Sequence, residues 1–158
     1  GRTRTLEGLD AENAVIRGEA PAQPVPVQMN GATYMADLTG GQKTGLFYDQ
    51  RPNHAFTKRL SNGARVLDVF SHVGGFGLAA LAGGAHEVRA VDGSAPALAL
   101  ATEGAEAMGV AAKFTTQQGD AFDTLAQLGE AGEVYDVVIC DPPAFACRHC
   151  LLLPRQCR

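Results

Sequence analysis

The chain has 158 residues, 46% of them hydrophobic and 19% charged, with a net charge of -4, which suffices for one domain with a real core. That acidic balance argues against a nucleic-acid binder relying on bulk positive charge, while leaving room for an enzyme that meets RNA through a local patch or a separate domain. No apolar run approaches the ~20 residues of a membrane span and no signal-peptide core is visible, so no membrane association is expected and the expected compartment is the cytoplasm.

Residues 1–24 are polar and irregular and lead into VPVQMNGATYMADL, an alternating pattern around Asn30-Gly31. Asn-Gly between alternating runs predicts a hairpin with strands over 25–29 and 33–37. A polar loop, GGQKTGLFYDQR, follows, and 52–60 reads as an amphipathic helix carrying Phe56 and Leu60, stopped at Asn62-Gly63. Strands and helices then alternate: strand 65–70, helix 76–81, strand 87–91, helix 96–108, strand 113–117, helix 122–128 and strand 134–140. Such alternation predicts an α/β fold, a parallel doubly wound sheet with right-handed crossovers, preceded by a small hairpin. CRHCLLLPRQCR, residues 147–158, has neither periodicity nor caps. A sheet ending before it would keep an unfinished edge, so the chain reads as cut short.

The cysteines, Cys140, Cys147, Cys150 and Cys157, crowd the C-terminal end and cannot form a distributed disulfide framework. Cys147-x-x-Cys150 has metal-ligand spacing, but one such pair does not supply four ligands, and no metal is expected. Cys140, inside the last strand, is expected to be buried for packing.

The chemistry is carried by VLDVFSHVGGFGLAALAGGA, residues 66–85. A strand, a glycine turn and an Ala/Leu helix make the floor of a nucleotide-like site, because glycines let a ligand approach backbone amides. Two ligands compete. Gly75, Gly77 and Ala80 satisfy the G-x-G-x-x-A spacing of a dinucleotide fold, yet Asp68 would set a negative charge near a pyrophosphate. S-adenosylmethionine carries an ammonium and a sulfonium, so a carboxylate beside the turn is favourable for it.

Later strands add further acids. Asp92 closes the second sheet strand, positioned for a bidentate grip on ribose hydroxyls. Asp120 in QGDAF suits either the adenine amino group, with Phe122 beside the ring, or a helix N-cap. VVICDPPAF ends the fourth strand with Asp141, Pro142, Pro143 and Phe145 over the same crevice. Two prolines fix the backbone and remove donors, and Phe145 offers a stacking face for a base.

The stretch from Val25 to Ala146 resembles bacterial class I S-adenosylmethionine-dependent 23S rRNA methyltransferases of the cytosine-5 group. QKTGLFYDQR, residues 42–51, is similar to that group's QKTGxFxDQR signature, residues 66–77 to its DxFSxxGGF loop, and residues 141–146 to its DPPxF motif. The resemblance implies a Rossmann-like methyltransferase sheet, S-adenosylmethionine as cofactor and a base of 23S rRNA, carbon 5 of cytosine, as substrate. It implies that loop 42–51 folds over the cofactor, with Lys43, Thr44, Asp49 and Arg51 facing ligand or RNA. Asp68, Phe70, Ser71, Gly74, Gly75, Phe76, Asp92, Gly93, Ser94, Gly119, Asp120, Ala121 and Asp141 complete the expected cofactor set, and Asp141, Pro142, Pro143 and Phe145 the catalytic set.

On this reading residues 1–51 are linker and hairpin, 52–146 a partial cofactor-binding domain, and 147–158 an irregular tail. The family has an RNA-binding PUA domain before this stretch and a catalytic half after it, with the attacking cysteine in a later Ser-Cys-Ser setting. The chain is therefore expected to be a fragment that transfers no methyl group by itself. Methylation of a guanine ring nitrogen and an inactive cofactor-binding remnant stay open as rivals.

Overall fold

The computed structural model describes residues 17–39 and 46–143. A two-stranded hairpin comes first, β1 (Val25–Met29) and β2 (Ala32–Ala36), paired antiparallel with Met29 opposite Ala32. Asn30 and Gly31 take φ values of 55° and 80°, the mirror-image turn that matches strand twist. This two-residue turn fixes the register, so β2 begins one residue earlier than expected.

Helix α1 (Arg51–Leu60) carries Pro in its first turn and Lys58 and Arg59 in its last, the charge order a helix dipole favours. Its buried face is not the expected one. Phe56 and Leu60 are each 53% exposed, whereas His54 and Thr57 are buried. The Arg59 guanidinium lies 5.5 Å from the centroid of the outward Phe56 ring. The helix docks through small and polar groups onto the helix over Gly75–Ala82, and Lys58 donates to the Asn30 carbonyl at 2.8 Å, tying it to the hairpin.

The main sheet holds β3 (Arg65–Val69), β4 (Glu87–Asp92), β5 (Phe114–Gln118) and β6 (Val137–Cys140), all parallel, in the order β5-β4-β3-β6. Helices α2 (Gly75–Ala82), α3 (Ala95–Ala107) and α4 (Ala121–Glu130) connect them. The expected α/β alternation holds throughout, with boundaries shifted by a residue or two except at β6. There residues 134–136 wrap Arg65 instead of extending the strand: its guanidinium donates to the Val134 carbonyl at 2.7 Å and lies over the Tyr135 ring, and its amide donates to Asp136 at 2.8 Å.

Strand alternation divides the core. Val66, Val88 and Ala90 face α2, α3 and the hairpin, with Leu78 and Ala101 fully buried among them. Leu67, Val69 and Val91 face α4 through Ala121 and Leu128. Tyr34, Ala32 and Ala36 of β2 belong to the first cluster. The hairpin is seated closely: a Cβ on Gly104 of α3 would lie 2.8 Å from the Thr33 carbonyl oxygen.

Cys140 is exposed, contrary to the buried role expected of it. It pairs with Val69 and shares a sheet face with Val138, itself 55% exposed. β6 is an edge strand of the described sheet, and α4 covers that face over β3 and β4 only. No helix among the described residues is long and apolar enough to cross a membrane.

Candidate cofactor crevice

Strand order reverses between β3 and β6, and in such sheets ligands sit outside the strand ends at the reversal. A crevice of about 1330 Å³ opens there. Each parallel strand sends its following loop into it: Phe70 to Val73 after β3, Asp92 to Ser94 after β4, Gly119 to Ala121 after β5, and Asp141 to Pro143 after β6. Tyr34 of β2, Asp37 just after it, Leu46, Phe47, Asp49, Gln50 and His54 close the other side.

The loop after β3 is strained. Phe70 and His72 take φ values of 63° and 49°, a region costing non-glycine residues on the order of 1–3 kcal/mol each. Three hydrogen bonds hold it: Ser71 amide to the Val91 carbonyl at 3.0 Å, Gly74 amide to the Ser71 carbonyl at 2.8 Å, and His72 amide to Asp92 Oδ2 at 2.8 Å. Asp92 Oδ1 accepts the Ser94 amide at 2.8 Å. Each carboxylate oxygen thus spends one lone pair on the loops and keeps capacity for a ligand. Gly74, at φ 78°, begins α2, and a Cβ there would also meet Ala101 at 3.0 Å.

Asp68 does not touch the crevice, which corrects the direct ligand contact expected of it. Alternation along β3 puts it on the Val66 face, under α2, where Oδ2 accepts the Gly77 amide at 2.8 Å. It is 1% exposed, and its Oδ1 is buried without a partner. Burial pushes its pKa up to about 7; the Gly77 amide opposes this, while the nearby Asp92 and Asp141 charges reinforce it. Its work is to anchor the start of α2 and so to shape the glycine turn.

Asp120 is the N-cap of α4, its Oδ1 accepting the amides of Phe122 at 2.9 Å and Asp123 at 3.1 Å, and it lines the crevice as well. The capping role named for it is thus observed, and the side chain also faces the crevice. Phe122 packs edge-on against Phe70, ring centroids 6.0 Å apart. Ser94 lines the crevice and caps α3 through its side chain. Asp49, Gly75, Phe76 and Gly93 also line it, whereas Gly74 and Arg51 do not. Arg51 has an exposed side chain, and its carbonyl accepts from Asn30 at 2.9 Å. Lys43, Thr44, Phe145 and the Cys147-x-x-Cys150 pair lie outside the described residues.

Sequence reasoning missed several lining residues, among them Tyr34, Asp37, His54 and His72. The signal for His54 was its spacing with Thr57 and Ser61 at i, i+3 and i+7, a buried stripe hidden by the more apolar Phe56. Tyr34 is fully buried and its hydroxyl donates to the Gly75 carbonyl at 3.1 Å, tying the hairpin to the turn.

The charge of the lining is one-sided. Asp37, Asp49, Asp92, Asp120 and Asp141 contribute carboxylates, and no Lys or Arg is among the described lining residues. Such a crevice favours a ligand with positive charge and opposes a pyrophosphate.

Comparison with known proteins agrees with this geometry. Residues 10–158 match a family model described as S-adenosylmethionine-dependent methyltransferase. Two curated proteins, each named Ribosomal RNA large subunit methyltransferase I, are similar: that of Photobacterium profundum is 44% identical over 146 residues, and that of Aeromonas salmonicida 42% over 144. Each match covers 90% of this chain and 36% of the relative, so the chain spans about a third of their length. Among solved structures, SMU.776 complexed with SAH superposes with a TM-score of 0.76 at 30% identity, covering 83% of this chain and 35% of that one. A SAM-dependent methyltransferase from Agrobacterium tumefaciens gives 0.71 at 26% identity, covering 79% and 41%. With a class I sheet, a strained glycine turn at the strand reversal and an acid-lined crevice, the chain belongs to the S-adenosylmethionine-dependent methyltransferase family.

Proposed function

We propose that the crevice binds S-adenosylmethionine for methyl transfer to a base of large-subunit rRNA, at carbon 5 of cytosine. One observation supports the cofactor reading above the others: five carboxylates and no Lys or Arg among the described residues of a crevice at the strand reversal. Its electrostatics fit a sulfonium and an ammonium, and the residues present fit the group. When bound, the cofactor supplies an electrophilic methyl group.

The chain's part is binding and orientation. Asp92 takes the ribose hydroxyls with its remaining lone pairs, and Gly93 and Ser94 bring the backbone close. Asp120 reaches the adenine amino group from its capping position, with Gly119 and Ala121 beside it. The Phe70, Ser71, Gly74, Gly75 and Phe76 turn, set by Asp68, lies along the amino-acid end. Asp141, Pro142 and Pro143 form the wall against which the target base stacks, and the DPPxF resemblance adds Phe145 as a stacking residue. The resemblance carries Lys43, Thr44, Asp49 and Arg51 to ligand or RNA, Asp49 from the crevice lining and Arg51 from the exposed start of α1, with 1–51 as the linker and hairpin and 52–146 as the cofactor-binding part. Holding both reactants in line contributes most of what positioning can give to such a displacement.

The rRNA substrate is supported by the names of the curated relatives, and the cytosine assignment by the QKTGxFxDQR resemblance of residues 42–51. Methylation at carbon 5 needs a cysteine thiolate to attack the ring, which the resemblance places in the half of the protein beyond these strands. Titration calorimetry tests the cofactor reading: S-adenosylhomocysteine should bind and NAD should not. The reverse outcome sinks it. Nucleoside analysis of 23S rRNA methylated by a chimera that joins this chain to the flanking segments of a curated relative should show 5-methylcytosine; a methylguanine product instead overturns the base assignment.

A further inference from the structure

Helix α1 carries an imidazole into the crevice that none of the sequence motifs accounts for. His54 is 5% exposed, stacked on Tyr34 with centroids 6.2 Å apart and edge-on to Phe76 at 4.5 Å. Its Nε2–Cε1 edge faces the glycine turn, since a Cβ on Gly75 would lie 2.9 Å from Nε2 and 3.1 Å from Cε1. The other nitrogen, Nδ1, is buried with no hydrogen-bond partner.

This asymmetry sets the protonation of the ring. A neutral imidazole has one N–H and an imidazolium two. An N–H at Nδ1 would be a buried donor with no acceptor, a rarer and costlier situation than a bare lone pair. The hydrogen therefore sits on Nε2, facing Gly75. Burial lowers the pKa of His54, against the raising pull of Asp141 and Asp49.

The same corner is the start of α2. Gly74 offers no side-chain cap, and the Gly77 amide is taken by Asp68. The amides of Gly75 and Phe76 remain as donors at the positive end of the helix. Tyr34 fixes the Gly75 peptide through its carbonyl. Three N–H donors thus gather at Gly75, in a crevice whose charged described side chains are all carboxylates. S-adenosylmethionine has one anionic group, the carboxylate of its amino-acid end, and the aspartates cannot serve it. We infer that His54 is a ligand-contacting residue that donates Nε2–H to that carboxylate beside the Gly75 and Phe76 amides; this rests on the cofactor reading above.

The test compares two ligands and two variants by calorimetry on the full chain. S-adenosylhomocysteine carries the amino-acid end, and 5′-methylthioadenosine lacks it. His54→Met keeps bulk without a donor, and His54→Gln keeps a neutral donor. His54→Met should weaken S-adenosylhomocysteine roughly ten- to a hundred-fold, the scale of a hydrogen bond to a charged group, and leave 5′-methylthioadenosine within about twofold. His54→Gln should recover part of the loss. Equal weakening of both ligands in both variants makes His54 a packing residue and overturns the inference, as does unchanged affinity for S-adenosylhomocysteine. A wild-type chain that binds 5′-methylthioadenosine and S-adenosylhomocysteine equally overturns the contact alone, whereas one that binds neither removes the cofactor reading itself.

Discussion

Asp68 Oδ2 lies 2.8 Å from the Gly77 amide nitrogen, which makes a buried acid of β3 the anchor of the helix behind the glycine turn. Its pKa, raised from 3.8 to about 7 chiefly by burial, ties stability to pH. A raised folded value means that the folded chain binds the extra proton, so stability is greatest below 3.8 and is lost as pH rises to about 7. His54, lowered by burial, slopes the opposite way below 6.5, so the difference between two chains is what should be read. Relative to wild type, Asp68→Asn should gain on the order of 2 kcal/mol between about pH 5 and about pH 7. Urea unfolding at both pH values measures it, and parallel pH profiles would show that Asp68 does not carry the proton.

Gly104→Ala tests the seating of the hairpin. The new Cβ would stand 2.8 Å from Leu78 Cδ1 and from the Thr33 carbonyl oxygen, and the backbone atom cannot rotate away. Alanine gains about 1 kcal/mol of helix propensity, but overpacking costs about 1–3 kcal/mol, so the expected net is a loss. Thermal unfolding should shift down by about 2–6 °C for a chain of this size. A variant as stable as wild type means that the hairpin does not press on α3.

The alternation of strands and helices, the Asn30-Gly31 hairpin and the crevice at the strand ends are all legible in the sequence, because period and turn chemistry are local. Sidedness is not. Asp68 reads as a ligand contact because it adjoins the glycines, yet two-residue alternation already puts it with Val66 under a crossover helix. Phe56 reads as core because it is apolar, but α1 approaches α2 so closely that a Cβ on Gly83 would overlap the Lys58 carbonyl. Close contact of that kind selects small and polar groups. Cys140 reads as buried because strands of this type normally are, and its exposure depends on how far α4 reaches across the sheet, a tertiary fact.

Gly75→Ala tests how the His54 ring packs on the glycine turn, and overpacking of about 1–3 kcal/mol should lower stability. Alanine by itself suits a first helical turn. The Cβ, however, would strike the His54 ring, which Tyr34 and Phe76 hold in place. Affinity for S-adenosylhomocysteine should fall about tenfold, and in a His54→Ala background, where no ring is struck, the same change should cost less. Such coupling between neighbours is typically about 0.5–3 kcal/mol. Additive effects in the double variant would show that ring and turn are independent.

Asp92 joins the loop to the ligand, and two substitutions part those roles. Its oxygens each accept one amide, from His72 and Ser94 at 2.8 Å, and the His72 amide belongs to a residue held at φ 49°. Asp92→Ala leaves both amides without their acceptor, so it should lower stability by about 1–3 kcal/mol and weaken S-adenosylhomocysteine by roughly 1.5–3 kcal/mol. Asp92→Asn keeps one acceptor oxygen and can hold one of the two amides. It should recover part of the stability, but it brings an N–H₂ group where the second carboxylate oxygen accepted. Binding should then remain well below wild type, because the lone pairs offered to the ribose hydroxyls are fewer and uncharged. Parallel thermal unfolding and calorimetry on the two variants read the split. If Asp92→Asn binds like wild type while Asp92→Ala merely unfolds more easily, Asp92 is a loop anchor and the ribose contact must be sought elsewhere in the crevice.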